Sequence, residues 1–164
     1  MTTAYLSQSR ALDLPDARPR LARLLYRIAA VLFILFALGH TVGFLTLKPP
    51  TAEALAVRDA MMNVHFQVRG ATLSYGGFYT GSGLSISAYL LFMSVLAWHL
   101  SGLTIRQPEA IGILGWAFFA LQLAGLALSW IYFAGGPVIF SSVMALCVGL
   151  AAFMGRITPS SKTR

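Results

Sequence analysis

The chain has 164 residues, of which 57% are hydrophobic and 10% charged, and its mean hydropathy is +0.74. A soluble domain carries about 25% charged residues, so this composition speaks against a soluble enzyme, a disordered chain and a nucleic-acid module. The net charge of +7 comes from twelve basic and five acidic residues, and most of the basic ones flank apolar runs, as membrane-flanking charges do.

Residues 1–20 are polar, contain Pro15 and Pro19, and are expected to form a mostly disordered cytoplasmic tail. The membrane domain is expected over residues 21–156, and a basic cytoplasmic tail over 157–164. The first apolar run, Ile28–Leu47, has twenty residues and rises about 30 Å as a helix, enough to cross the hydrocarbon. Lys48-Pro49-Pro50 ends it. The next segment is amphipathic. Thr51 is placed to cap a helix running to about Val68, with Val57, Met61, Val64 and Val68 on one apolar stripe and Leu55, Met62 and Phe66 on another. Two stripes predict an interfacial helix wedged between lipid and bundle. The second span is expected over 77–100, the third over 111–132 and the fourth over 138–154, the last entered through Gly135-Gly136-Pro137.

Four spans put both termini on one side. With the termini inside, nine basic residues are cytoplasmic and three (Lys48, Arg58, Arg69) are outside, which satisfies the positive-inside rule. Trp130 and Tyr132 are then expected at the outer interface, and Tyr26 and Trp98 at the inner one. The expected class is therefore an all-α, polytopic cell-membrane protein: four transmembrane helices with an amphipathic helix between the first and second.

Small residues recur at four-residue spacing. Gly39 and Gly43 share one face of the first span, and Gly77, Gly81 and Ser85 open the second. Such faces are expected to pack neighbouring helices closely, within the chain or in a homo-oligomer, since small side chains let backbones approach. A wide Gly/Ser/Thr surface extended by Thr80, Gly83 and Ser87 has the alternative use of lining a cavity. In the third span, Gly115, Phe118, Gln122, Gly125, Ser129 and Tyr132 fall on one stripe that is expected to face the bundle.

Three histidines carry the acid–base possibilities. An ionisable residue within a span is a functional candidate, and His40 lies seven residues, or about 10 Å, from the outer end of the first span. His65 falls on the loop helix and His99 at the inner end of the second span. His40 and His99 differ in depth by roughly 15–20 Å and cannot flank one haem iron. Cys147 stands alone, and all five acids lie in tails, loops or helix ends. No metal, haem or other cofactor is expected, and the lack of a membrane-embedded acid disfavours a proton-coupled exporter.

The chain resembles an uncharacterised family of small four-span bacterial membrane proteins. The resemblance lies in Gly39-His40-Thr41, Gly43, Met61, Phe66 and Gly70, and in Leu73-Ser74-Tyr75-Gly76-Gly77-Phe78-Tyr79-Thr80-Gly81-Ser82-Gly83-Leu84. The family's pattern for that last segment is Arg-Ser-Tyr-Trp-Asp-Phe-Tyr-x-Gly-Phe-Gly-Leu, so this chain departs at Leu73, Gly76, Gly77 and Ser82. The Arg and Asp of the pattern are both lost, which avoids leaving one charge unpaired. The resemblance implies a four-span fold with an embedded loop helix, and transfers no reaction.

The residues point to a membrane protein that binds a lipophilic small molecule or a partner helix through its outer half. The expected ligand-binding set is His40, His65, Tyr75, Tyr79, Gln122 and Ser129, in a cavity between the first three spans beneath the loop helix. The alternative is a small membrane enzyme, an isomerase or a quinone- or isoprenoid-modifying enzyme, with His40 and His65 as catalytic candidates. A channel or transporter ranks third. Membrane lipids are the expected surroundings, and nucleic acid is not an expected partner.

Overall fold

The structure, a computed structural model, describes residues 17–155. The expected tail over 157–164 and most of the one over 1–20 lie outside the described residues. Among the described residues, four helices are long and apolar enough to cross a membrane: α1 (Ala17–Thr46), α3 (Tyr75–Arg106), α4 (Gly112–Tyr132) and α5 (Gly136–Gly155). At 1.5 Å per residue, α1 and α3 run to about 45 Å, well beyond a hydrocarbon core of about 30 Å. Their extra length is the arginine-rich start of α1 and the end of α3 at Arg106. The fourth span is longer than expected. It begins at Gly136 with Pro137 in its first turn, after Gly135 takes a left-handed φ of 63° that breaks the chain away from α4.

The segment between α1 and α3 differs from the expected single helix to Val68. Helix α2 covers only Ala52–Asn63, capped by the Thr51 hydroxyl, which accepts from the Ala54 amide at 3.2 Å. A two-stranded antiparallel ribbon follows, β1 (His65–Val68) and β2 (Ala71–Ser74), paired from His65↔Ser74 to Val68↔Ala71. Arg69 and Gly70 form its turn with φ of 49° and 83°. Positive φ at both central residues matches the twist of a tight hairpin. Val64, Phe66 and Val68 fit a strand alternation as well as they fit a helical stripe, and the Arg69-Gly70 turn decides for the strand. Gln67 Nε2 donates across the ribbon to Thr72 Oγ1 at 2.7 Å. Ser74 ends β2 and caps α3, accepting from the Gly77 amide at 3.0 Å.

Helix α1 is the centre of the bundle. It packs against α3 on one side and α5 on the other, and α4 packs against α5. Its inward residues Ala22, Tyr26, Ala29, Ala30, Phe33 and Ala37 are all buried, a stripe at three- and four-residue steps. The facing stripe of α3 is small and polar: Gly83, Ser87, Ser94, Ala97, Ser101 and Thr104. These residues follow a seven-residue repeat, the spacing of left-handed helix pairs, and Ser94 Oγ donates to the Ala30 carbonyl at 2.9 Å. The core closes at the end that holds Ala17 and Gly155, around Tyr26, Phe33, Leu100, Ile111, Met144 and Val148. Tyr26 is fully buried there, whereas Trp98 is exposed with the Arg27 guanidinium 5.1 Å from its ring centre.

The close helix contacts fall on Gly115, as expected of the α4 stripe, and on Gly83 and Gly149, but not on Gly39, Gly43 or Gly81. A side chain at Gly39, Gly43 or Gly81 would meet open space. A Cβ at Gly115 would come within 2.9 Å of the Tyr26 hydroxyl and 3.0 Å of Ile111, and one at Gly83 or Gly149 would overlap the ring of Phe44 or Phe119. Because Tyr26 is enclosed and cannot retreat, Gly115→Ala is expected to cost about 1–3 kcal/mol through overpacking. Gly81→Ala is expected to be neutral or to add up to about 1 kcal/mol by helix propensity. Thermal unfolding in detergent checks both; equal melting points for the two variants would contradict this assignment of the packed faces.

Candidate functional site

At the end opposite the closed core, the bundle is hollow. Helix α1 ends at Thr46, Lys48-Pro49-Pro50 lead into α2, and α2 lies along the opening. A cavity of about 840 Å³ remains between α1, α2, the start of α3 and the start of α5. Gly39, His40, Gly43 and Phe44 line it from α1, Val57, Arg58, Met61 and Met62 from α2, Tyr79 and Thr80 from α3, and Pro137 and Phe140 from α5. Gly39 and Gly43 thus act by leaving room. The α1 stripe that is alanine in the closed half continues as His40, Thr41 and Phe44 here, so one helical face serves as core below and as cavity wall above.

Aromatic rings organise the wall. The His40 imidazole stacks on Phe44 (centroids 5.8 Å apart, planes at 5°) and meets Phe36 edge-on at 6.4 Å. Phe44 in turn contacts Tyr79 at 5.1 Å, and Phe36 stacks on Phe140 of α5 at 5.2 Å. Gly83 lets Phe44 seat against α3. Gly76 lets the α2 backbone approach: a Cβ there would stand 2.9 Å from Met62 Cα.

The polar centre is at Ser87, which is 8% exposed. Its Oγ lies 3.0 Å from His40 Nδ1 and 2.7 Å from Thr41 Oγ1, and Thr41 Oγ1 also reaches the Ala37 carbonyl at 2.7 Å. Two neighbouring residues of α1 therefore converge on one hydroxyl of α3. His40 Nε2 has no hydrogen-bond partner among the described residues. Lys48 and Arg58 stand in the cavity wall and no carboxylate does.

The expected ligand-binding residues separate into three groups. His40 and Tyr79 line the cavity together. His65 does not join them: its Nδ1 meets the Asn63 carbonyl at 2.8 Å, and the side chain lines a shallower groove with Ser74, Gly77, Phe78, Gly81 and Tyr89. The ribbon causes this, because alternate strand residues face opposite ways, and Phe66, not His65, packs on Tyr75 and Phe78. Tyr75 is exposed beside that ring pair. Gln122 and Ser129 also lie outside the cavity. The expected third wall, α4, is replaced by α5, and Ser129 is buried in a 3.0 Å hydroxyl pair with Ser141 that ties α4 to α5. Gln122 is half-buried on α4.

Thr41, Phe44, Met61 and Arg58 belong to the site and were not among the expected residues. Thr41 follows His40 directly, and Ser87 stands in the small-residue repeat of α3; those were the available signals. Among the described residues, no three of His, Cys, Asp and Glu come together to hold a metal ion.

Ser87 is the joint of the half that holds the cavity. Ser87→Ala is expected to destabilise the protein by about 1–3 kcal/mol, since it leaves His40 and Thr41 without their shared partner. Combined with Thr41→Val it should show a coupling of at least about 0.5 kcal/mol. Thermal or chemical unfolding of the single and double variants measures it, and strict additivity would contradict the shared joint.

The chain matches no protein-family model, no curated protein and no solved structure.

Proposed function

We propose that this is a multi-pass membrane protein that binds a lipophilic small molecule in the cavity beneath α2. The cavity carries this reading. Its volume of about 840 Å³ lies within the roughly 300–1,000 Å³ common for small-molecule sites, and its apolar, aromatic wall with a few polar groups is their usual chemistry. A membrane helix pair ordinarily fills its interface with side chains; here Gly39 and Gly43 leave α1 open where α2 covers it.

The orientation follows from charge. Arg18, Arg20, Arg23, Arg27 and Arg106 gather at the closed end, and Lys48, Arg58 and Arg69 at the hollow end. The positive-inside rule then puts the closed end in the cytoplasm and the cavity in the outer half of the bilayer.

An enzymatic reading has one supporting feature, the Ser87–His40 pair at 3.0 Å. Ser87 is buried and is not part of the cavity wall, so a substrate in the cavity would meet the imidazole and not the hydroxyl. Binding is the better account.

Two measurements test the proposal. Protein purified in mild detergent and extracted into organic solvent is expected to release a lipophilic compound detectable by mass spectrometry. Gly43→Leu, which places a side chain in the open space of the cavity, should fold with unchanged stability and release less than a tenth as much. Equal release would remove the cavity as the binding site. For topology, a reporter fused to the C-terminus is expected to read cytoplasm, and a reading outside the cytoplasm would reverse the orientation.

A further inference from the structure

The cavity wall is asymmetric in charge. Along α1 it runs from Leu35 to Leu45, about 15 Å at 1.5 Å per residue. The deep part, around Phe36, Gly39 and Phe140, is apolar apart from His40. The two charged residues of the wall belong to its rim: Lys48 follows the last turn of α1, Arg58 is on α2, and both are exposed. Helix α2 turns Ala54, Val57, Arg58 and Met61 to the cavity, steps of three and four residues that share one face. Its two acids, Glu53 and Asp59, are not in the wall. Neither Lys48 nor Arg58 has an ion pair or a hydrogen bond among the described residues. Helix α5 begins in the same wall at Gly136 and Pro137 with no acid in its first turn, so the positive end of its dipole adds to the two cations.

We infer that the cavity takes a single-chain amphiphile with an anionic head, such as a long-chain carboxylate, its head against Lys48 and Arg58 and its chain along the apolar wall toward Phe36. This rests on the binding role proposed above and names the ligand's charge and shape. A cationic head would meet two like charges and no carboxylate, and a neutral head would gain the apolar wall alone. Basic residues at a membrane surface attract anionic headgroups in general. Here they stand at the rim of an apolar cleft, so the tail is recognised together with the head. The volume of about 840 Å³ is the room of one drug-sized molecule, enough for one chain and short of the two chains of a diacyl phospholipid.

The two cations act differently. The planar fork of Arg58 can pair with both oxygens of a carboxylate, whereas Lys48 brings a point charge on a flexible stem. Because both are exposed, each ion pair is weak and is screened by salt. The preference for an anion is therefore modest and falls as salt rises, while the hold of the apolar wall on the chain does not depend on charge.

The experiment uses full-length protein in phosphatidylcholine nanodiscs at about pH 8, where a carboxyl group is ionised. Dodecanoic acid, dodecanol and a diacyl phosphatidylglycerol each carry a photoreactive diazirine at the far end of a chain. Labelling is read by mass spectrometry at Phe36, His40 and Phe140 of the wall, relative to Leu38, which is exposed and off the wall. The acid is expected to label the wall about fivefold more than the alcohol, the worth of two exposed ion pairs, and high salt should lower that ratio. In the double variant Lys48→Gln/Arg58→Gln the ratio should fall to one, with labelling by the alcohol unchanged. The phosphatidylglycerol should label Leu38 and leave the wall unlabelled. Equal labelling by acid and alcohol in the native protein, or a ratio that survives the double substitution, overturns the selection of an anion and leaves the cavity's binding role standing. Labelling of the wall by the phosphatidylglycerol overturns the single-chain occupant. No labelling of the wall by the acid or the alcohol overturns the binding role as well.

Discussion

The close approach of α1 to α3 is the contact on which the rest of the structure depends. Inside a bilayer apolar side chains gain little by leaving lipid for protein, so helices associate through packing and hydrogen bonds. The α3 stripe of Gly83, Ser87, Ser94, Ala97, Ser101 and Thr104 supplies both. It is narrow enough for α1 to settle its own alanines against it, and two of its serines bond to α1, Ser94 to the Ala30 carbonyl and Ser87 to His40 and Thr41. With α1 held there, its opposite side is covered by α5, and α4 attaches to α5 through Ser129 and Ser141.

The same seam produces a closed half and a hollow half because the α1 stripe changes composition along its length. Below, Tyr26 and Phe33 insert between neighbours, and Gly115 makes room for the Tyr26 ring. Above, Phe44 swings onto α3 in the space left by Gly83, stacks with His40 and meets Tyr79 at a tilt. Beside it, Gly39 and Gly43 leave the α1 surface open. Helix α2 does not fill that volume; it roofs it, because Pro49-Pro50 turn the chain across the bundle and Gly76 lets the end of α2 rest on α3. Glycine therefore has two opposite uses here. Gly76, Gly83, Gly115 and Gly149 admit a neighbour, whereas Gly39, Gly43 and Gly81 border open space.

The polar groups beside the cavity are also ordered by this geometry. His40 and Thr41 are consecutive in the chain, and on most helices consecutive side chains diverge by about 100°. Both still reach Ser87, because it sits opposite the gap between them, close enough for 3.0 and 2.7 Å contacts. One serine thereby joins a ring that lines the cavity to a backbone carbonyl that does not.

Composition and hydropathy were enough to determine four apolar helices, their order and their approximate ends, since a bilayer-spanning segment must be about twenty apolar residues long whatever its neighbours do. The cap at Thr51, the break at Gly135 and the position of His40 as a polar residue within an apolar helix were legible for equally local reasons. Neighbour relations were not. Small-residue spacing is the same whether a face packs or stands open, so Gly39 and Gly43 could not be told from Gly83 until the helices were placed. Gln122 and Ser129 were assigned to the cavity because depth can be counted along a helix while azimuth and helix order cannot; the fold put α5 where α4 was expected. His65 was assigned by a helical period that the Arg69-Gly70 turn replaces with a strand period, which sends it to another groove. What tertiary structure alone decided is which faces meet, because that depends on the summed packing of all four helices and on no single segment.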